Sequence, residues 1–233
     1  MTAYVAVDPA TYQRSVLVVE DEPLLRDLVR MALEARGFAV TTAGSVPEAV
    51  QVVDAADPDG IVMDVDLGPG PNGFDLAEAL MEDRPGIAVL FLTNLPDARF
   101  AGRALDAVPR GVAYLRKTAV HNVGEIADAL DAVMRGEVDA AMRHDHDPDR
   151  PLSALTRRQI EYLRLIALGY TNSQIATLRG VSLKATENTV ARAFAALGID
   201  HDSAGNLRIA AARRFIHDAG EPMAPADADD VGG

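Results

Sequence analysis

Short apolar runs alternate with amphipathic stretches through the first half of the chain. Several runs are almost continuously apolar, as is typical of parallel strands covered on both faces. They predict five strands, at Val16–Val19, Phe38–Thr42, Ile61–Met63, Ile87–Leu92 and Val112–Leu115. The amphipathic stretches predict helices near 23–36, 46–56, 73–83, 96–107 and 122–134. Strand–helix alternation repeated in this way indicates an α/β doubly wound fold with a five-stranded parallel sheet.

The second half of the chain is helical in pattern. Thr156, Asn172 and Ser182 are candidate N-caps of three successive helices, because short polar side chains satisfy the free amides of a first turn. Apolar residues at helical spacing predict a last helix near 203–216. The sequence therefore predicts a small all-α domain after the sheet.

Polar segments separate and follow these two domains. Residues 135–151 read RGEVDAAMRHDHDPDRP, which favours a solvated linker. Its run His144–Asp147 has metal-binding residue types, but a polar, proline-bounded run is more often a loop. The predicted divisions are an α/β domain over 15–134, a linker over 135–151, a helical domain over 152–217 and an acidic, disordered tail over 218–233.

Charge divides along the same boundaries. The net charge is −13, yet residues 151–217 carry 9 Lys or Arg against 4 Asp or Glu. An acidic body followed by a basic module is expected when only one part approaches a polyanion. The sequence contains no cysteine, and we see neither a secretory signal nor an apolar run of about 20 residues. These features predict a cytoplasmic protein without a membrane partner.

Acidic, hydroxyl and amino side chains follow the predicted strands. Glu20 and Asp21 follow the first strand, Asp64 the third, Thr93 the fourth and Lys117 the fifth. The carboxyl ends of parallel strands meet at one edge of a sheet, so these groups should lie together. Clustered carboxylates suit Mg²⁺, and a lysine with a hydroxyl can hold phosphoryl oxygens. The pattern predicts a phosphoryl-transfer site.

The same stretches resemble the receiver domain of two-component response regulators, which has a flavodoxin-like fold. The motifs are VLVVEDEPLLR at 16–26, IVMDVDLGPGPNGFDL at 61–76, FLTN at 91–94 and YLRK at 114–117. The resemblance implies that a sensor histidine kinase phosphorylates Asp64. It also implies a Mg²⁺ cofactor and a set of side chains that respond to phosphorylation of Asp64. The implied metal ligands are Glu20, Asp21, Asp64 and the backbone carbonyl of Asp66, and the responding side chains are Thr93, Lys117 and Tyr114.

Residues 152–216 resemble the LuxR/FixJ-type (NarL-like) helix-turn-helix domain. The resemblance rests on LT, LIALG, TNSQIA, GVS and ALGI at compatible spacings. It implies that the third helix enters the major groove of DNA and that the last helix supports a phosphorylation-dependent homodimer. The implied DNA contacts are Lys184, Glu187, Asn188, Ala191 and Arg192.

Two other functions stay open at this point. Residues 182–197 carry two positive charges and one negative charge, few for a helix that must neutralise phosphates. A phosphorylation switch whose helical domain binds a protein is therefore the main alternative to a transcription regulator. A phosphatase-type enzyme using Asp64 as nucleophile is disfavoured, because we find no separate general acid and no substrate pocket in the sequence. The sequence thus predicts a protein that is not an enzyme.

Overall fold

Five parallel strands form the centre of the first half of the molecule. The computed structural model describes residues 13–68, 70–199, 206–220 and 222. The strands are β1 (Ser15–Val19), β2 (Ala39–Ala43), β3 (Gly60–Met63), β4 (Ala88–Thr93) and β5 (Ala113–Arg116). They pair in the order β2-β1-β3-β4-β5, all parallel. The predicted doubly wound α/β sheet is confirmed.

Helices cover both faces of the sheet. The helices are α1 (Pro23–Ala35), α2 (Val46–Ala56), α3 (Gly73–Asp83) and α4 (Gly124–Met134). Alternate residues of β1 enter different cores: Leu17 and Val19 pack with α2 and α3, whereas Val16 and Val18 pack with α1 and α4. Burial on both faces explains why these strands are apolar at nearly every position.

The helix predicted over 96–107 is wrong. Only a short 3₁₀ helix forms there, at Ala98–Ala101, and Gly102 ends it with a φ of +76°. Phe100 from this turn is buried in the apolar core of the second half of the molecule. Tertiary packing therefore overrides the local helical pattern.

The described part of the second half contains four α-helices: α5 (Arg157–Ala167), α6 (Asn172–Leu178), α7 (Leu183–Ala196) and α8 (Leu207–Ala219). Thr156 and Ser182 cap α5 and α7 as predicted. The cap of α6 is Thr171 rather than Asn172, because Thr171 forms a capping box with Gln174. No helix in the described part of the chain is long and apolar enough to span a membrane.

The predicted linker is not wholly solvated. It contains two 3₁₀ turns, at Ala140–Met142 and His144–His146, that contact β5. Asp145 is fully buried because Arg143 donates to both of its carboxylate oxygens, at 2.9 and 2.8 Å. His144 Nδ1 accepts from the Arg116 amide at 2.9 Å. These two residues of the run His144–Asp147 are thus occupied with structural contacts.

The last helix also extends beyond its prediction. α8 includes residues 218 and 219, which the sequence placed in the disordered tail. Asp218 is buried, forms an ion pair with Arg214 and lies 2.8 Å from His217 Nδ1, and these contacts hold the extra residues in the helix. Residues 221 and 223–233 of the predicted tail lie outside the described residues.

The two halves meet at the turn after β4. The Phe100 ring packs on Phe215 of α8, with 5.9 Å between ring centroids. Asp97 is fully buried and accepts from Arg99 at 2.6 Å and from Arg150 Nε at 2.8 Å. Arg99 also donates to the carbonyl oxygen of Leu155. A buried charge cluster and an aromatic contact therefore join the sheet domain to the helical domain.

Candidate functional site

The predicted phosphoryl-transfer residues lie at one edge of the sheet, where sheet register brings them together. Val19 pairs with Met63, so the residues after them, Glu20 and Asp64, are neighbours. The Asp64 amide donates to the Val19 carbonyl at 2.9 Å, which extends this pairing. Thr93 is the last residue of β4, and Lys117 follows β5 directly.

The side chains at this edge form a compact acidic pocket. Lys117 Nζ donates to Glu20 Oε1 at 2.8 Å and to Asp64 Oδ2 at 2.6 Å. Carboxylate oxygens of Glu20, Asp21 and Asp64 all lie within 4.8 Å of one another. Glu20 and Asp64 are buried, whereas Asp21 is exposed. We call these four residues, Glu20, Asp21, Asp64 and Lys117, the acidic pocket.

Charge in the acidic pocket is incompletely balanced. Burial raises the pKa of Glu20 to about 7, although the neighbouring Lys117 opposes the shift. Burial disfavours the charged form of Lys117, but Asp64 and Glu20 outweigh it and raise its pKa. Burial and the nearby Asp64 also raise the pKa of Asp66. One ammonium among several carboxylates leaves negative charge that a divalent cation can compensate, and this donor set fits Mg²⁺.

Asp66 and Gly73 shape the loop beside Asp64. The Asp66 amide donates to Asp64 Oδ1 at 3.1 Å, so the loop holds the carboxylate from its own backbone. Gly73 begins α3 at a very close approach, because a Cβ there would lie 2.1 Å from the Asp64 carbonyl oxygen. This requirement for glycine is not visible in the sequence, because glycine occurs both at close backbone approaches and in flexible loops.

Thr93 and Tyr114 are both linked to Leu95. Each is fully buried. Thr93 Oγ1 accepts from the Leu95 amide at 3.3 Å, and the Tyr114 hydroxyl donates to the Leu95 carbonyl at 3.0 Å. Leu95 could not be predicted from the sequence, because it makes these two hydrogen bonds with backbone atoms. Two of the three predicted responding side chains, Thr93 and Tyr114, thus share one residue of the segment after β4, and this residue packs against the core of the helical domain.

The helical domain contributes to the rim of the acidic pocket. Ala219 and Gly220, at the end of α8, line the same cavity as Asp64 and Lys117. A Cβ on Gly220 would lie 3.8 Å from the Asn94 side chain. The end of the last helix therefore lies beside the residues at the end of β4.

The candidate DNA contacts share the outer side of α7. All five side chains are exposed, namely Lys184, Glu187, Asn188, Ala191 and Arg192. Val190 and Ala193 are buried on the other side and fix the helix in its core. Lys184 Nζ lies 3.7 Å from Glu187 Oε2, so part of the small positive charge is locally neutralised.

Comparison with known proteins identifies the family. Residues 16–131 match the response regulator receiver domain. DevR/DosR of Mycobacterium tuberculosis, a DNA-binding transcriptional activator, is 34% identical over 193 residues, covering 79% of this chain and 88% of its own. The response regulator protein VraR of Staphylococcus aureus is 31% identical over 194 residues, covering 79% and 90%.

A solved structure has a similar fold over most of its length. RcsB of Salmonella enterica serovar Typhimurium, bound to a promoter in the presence of a phosphomimetic, aligns with a TM-score of 0.55. The alignment covers 88% of this chain and 98% of that one, at 19% identity. Sequence similarity and the geometry of the acidic pocket agree: the chain belongs to the response regulator family and carries a receiver domain.

Proposed function

We propose that the chain is a phosphorylation-controlled transcription regulator of a two-component system, with Asp64 as the phosphoryl acceptor. The observation that carries this proposal is the contact of Lys117 with both Glu20 and Asp64 at the end of the sheet. This contact brings a buried carboxylate, an ammonium group and further carboxylates together, which supports Asp64 as the nucleophile. A sensor histidine kinase is the donor that the receiver family implies, and we place both proteins in the cytoplasm.

An oxygen of Asp64 attacks the phosphorus of the donor, and the bond to the donor's leaving group breaks. Glu20, Asp21, Asp64 and the Asp66 backbone carbonyl would hold Mg²⁺, which supplies charge compensation for the phosphoryl oxygens. Lys117 then exchanges its carboxylate contacts for a phosphoryl oxygen, since an ammonium prefers the more highly charged acceptor. The Thr93 hydroxyl donates to another oxygen, and its displacement is passed through Leu95 to Tyr114.

The output is DNA binding by a homodimer that phosphorylation favours. Relatives that the chain matches along most of their length include a DNA-binding activator, and the RcsB structure contains DNA. In this chain residues 152–217 are the basic domain. On α7 the reading residues are Lys184, Glu187, Asn188, Ala191 and Arg192. Two weakly charged recognition helices that are linked in a dimer bind DNA more tightly than one helix alone. We therefore expect dimerisation to raise the affinity for DNA.

A second candidate function is supported by the charge of α7. The Lys184–Glu187 contact leaves this helix with little free positive charge, and phosphate contacts supply much of the affinity for DNA. A protein partner that binds α7 after phosphorylation is the alternative. Titration of a pool of DNA duplexes at several salt concentrations separates the two functions. A DNA-binding domain should bind at low salt and weaken as salt rises, whereas a domain that binds only a protein should not bind DNA even at low salt.

Phosphorylation itself is tested with a small donor. Full-length protein incubated with acetyl phosphate and Mg²⁺ should gain one phosphate by intact mass, and removal of Mg²⁺ should abolish the gain. Asp64→Asn should gain none, whereas Asp54→Asn, at an exposed acid on α2, should label like wild type. Undiminished labelling of Asp64→Asn would exclude Asp64 as the acceptor.

A further inference from the structure

Arg26, on α1, holds the backbone that carries two residues of the acidic pocket. Its Nη1 donates to the carbonyl oxygen of Glu20 at 2.6 Å and contacts that of Asp21 at 3.4 Å. Both acceptors are main-chain oxygens rather than carboxylates. The side chain therefore fixes the orientation of two consecutive peptide groups, and it leaves the carboxylates of both residues available to a ligand.

Gly44 leaves the space that Arg26 occupies. It directly follows β2, next to β1, and a Cβ there would lie 3.1 Å from Arg26 Nη1 and 3.2 Å from Glu48 Oε2. The Gly44 amide donates to Glu48 Oε2 at 2.6 Å, so α2 holds this backbone in place. The φ of Gly44 is not in the left-handed region. A side chain at this position would be tight against the guanidinium, so glycine leaves room for Arg26 without needing a left-handed backbone.

The turn that Arg26 holds is also restrained through the Glu20 carboxylate, whose Oε1 accepts from the Glu22 amide at 3.4 Å and from Lys117 Nζ at 2.8 Å. The Glu20 amide still bonds to the Ala43 carbonyl at 3.1 Å, which is the last contact of β1 with β2. Glu22 caps α1 without a side-chain hydrogen bond. Clustered carboxylates repel one another before a cation binds. A restraint on the backbone opposes this repulsion and leaves the carboxylate oxygens available to the cation. A donor to the carbonyl oxygens of the turn is such a restraint.

We propose that Arg26 is a positioning residue for the divalent cation of the acidic pocket, with Gly44 providing its place. This proposal rests on the proposed Mg²⁺ site. Arg26 has two opposite effects on the cation. Its positive charge disfavours a nearby cation, whereas its hydrogen bonds preorganise two of the ligands. Groups that orient metal ligands commonly change metal affinity by about 10- to 100-fold. We infer that preorganisation outweighs repulsion.

The test is a Mg²⁺ titration of the full chain by isothermal calorimetry. Arg26→Gln should weaken Mg²⁺ binding about tenfold, and Arg26→Lys should recover part of the loss, because an ammonium still donates to the Glu20 carbonyl. Arg30→Gln is the matched control. It removes the same charge one turn further along α1, where Arg30 pairs with Asp27 and Glu34. Its Mg²⁺ affinity should be unchanged or slightly higher.

Gly44→Ala tests the same contact from the other side. It should weaken Mg²⁺ binding in wild type by displacing the guanidinium, and it should have little further effect in Arg26→Gln. Thermal unfolding of each variant without Mg²⁺ detects a purely structural role, which would lower the melting temperature and leave the affinity of the folded protein unchanged.

Four outcomes would overturn the role of Arg26. Tighter Mg²⁺ binding by Arg26→Gln would show that charge repulsion outweighs preorganisation. Unchanged binding would show that Arg26 has no effect on the site. Additive effects of Gly44→Ala and Arg26→Gln would separate the two residues. Absence of Mg²⁺ binding by wild type would remove the proposed metal site itself, and the role of Arg26 with it.

Discussion

Burial gives Glu20 a proton affinity that an exposed glutamate does not have. Its pKa is about 7 in the folded protein, against an ordinary value of 4.5. Between these two values the folded state binds a proton that the unfolded state has released. The free energy of unfolding contributed by Glu20 therefore falls as pH rises from about 4.5 to about 7 and then stays low.

Glu20→Gln should remove this pH dependence. In the absence of divalent cations, we expect the variant to be more stable than wild type at pH 8, by at most about 3 kcal/mol. Near pH 4 the difference should largely disappear. Chemical unfolding at several pH values measures it, with Glu34→Gln, at an exposed residue of α1, as a control. An equal difference at every pH would mean that ionisation of Glu20 is not the cause.

Adding Mg²⁺ should reverse the order of stability. With the proposed metal site, wild type should bind the cation through Glu20 and gain stability by mass action, whereas Glu20→Gln should gain less. The same residue is thus unfavourable for the metal-free fold and favourable for the site, as is expected where function and stability compete.

At the scale of elements, strand ends were predictable and local contacts were not. An apolar run covered on both faces has a clear pattern, and parallel pairing then gathers Glu20, Asp64, Thr93 and Lys117 at one edge. The contacts that single out Arg26 and Leu95 involve backbone atoms, and such contacts cannot be predicted from the pattern of residue types. The segment 96–107 has a helical pattern, but its conformation is decided by the core that receives Phe100.

The linker shows the same limit. Its composition predicted solvation, yet Arg143 and Asp145 neutralise each other in a buried pair. Composition cannot tell a charge that faces water from one that faces an opposite charge. The cap of α6 was misplaced by one residue because Thr171 and Asn172 are both good caps, and only Gln174 decides between them.

α7 gives a prediction for DNA binding. Glu187→Lys should release Lys184 from its ion-pair partner and add a positive charge to the exposed face. If repulsion from Glu187 limits affinity, binding to all sequences should strengthen. The slope of log affinity against log salt should steepen by about one for each further phosphate that the helix neutralises. Glu125→Lys, on α4 of the receiver domain, makes the same change of charge elsewhere.

The alternative for Glu187 is sequence reading. A carboxylate can accept a hydrogen bond from the amino group of cytosine, so the variant would then prefer a different site without a general increase in affinity. Fluorescence anisotropy with a duplex pool and with selected duplexes distinguishes these results. If neither protein binds DNA at low salt, even when phosphorylated, the protein-partner alternative replaces DNA reading.

At the scale of the whole molecule, Phe100 joins the two domains. Phe100→Ala should lower the free energy of unfolding by about 3–5 kcal/mol, as is usual for a buried phenylalanine. It should also increase the radius of gyration measured by small-angle X-ray scattering, because the helical domain loses its aromatic contact. Phe38→Ala is the matched control, since Phe38 is equally buried but packs only within the receiver core.

The control should lose stability and keep the wild-type radius of gyration. If both variants keep it, the remaining contacts of Asp97, Arg99 and Arg150 suffice to hold the domains together. Phe100 would then be an ordinary core residue. If the radius of gyration increases in both variants, the cause is a general loss of stability. The proposed role of Phe100 in joining the two domains is then excluded.

The central claim is that a phosphoryl group on Asp64 controls occupancy of DNA by the helical domain. Genome-wide DNA capture from cells expressing wild type or Asp64→Asn at equal levels tests it most directly. We predict a discrete set of enriched sites for wild type and a marked loss of enrichment for Asp64→Asn. Equal enrichment of the same sites by both proteins would contradict the account, because occupancy would then not depend on the acceptor.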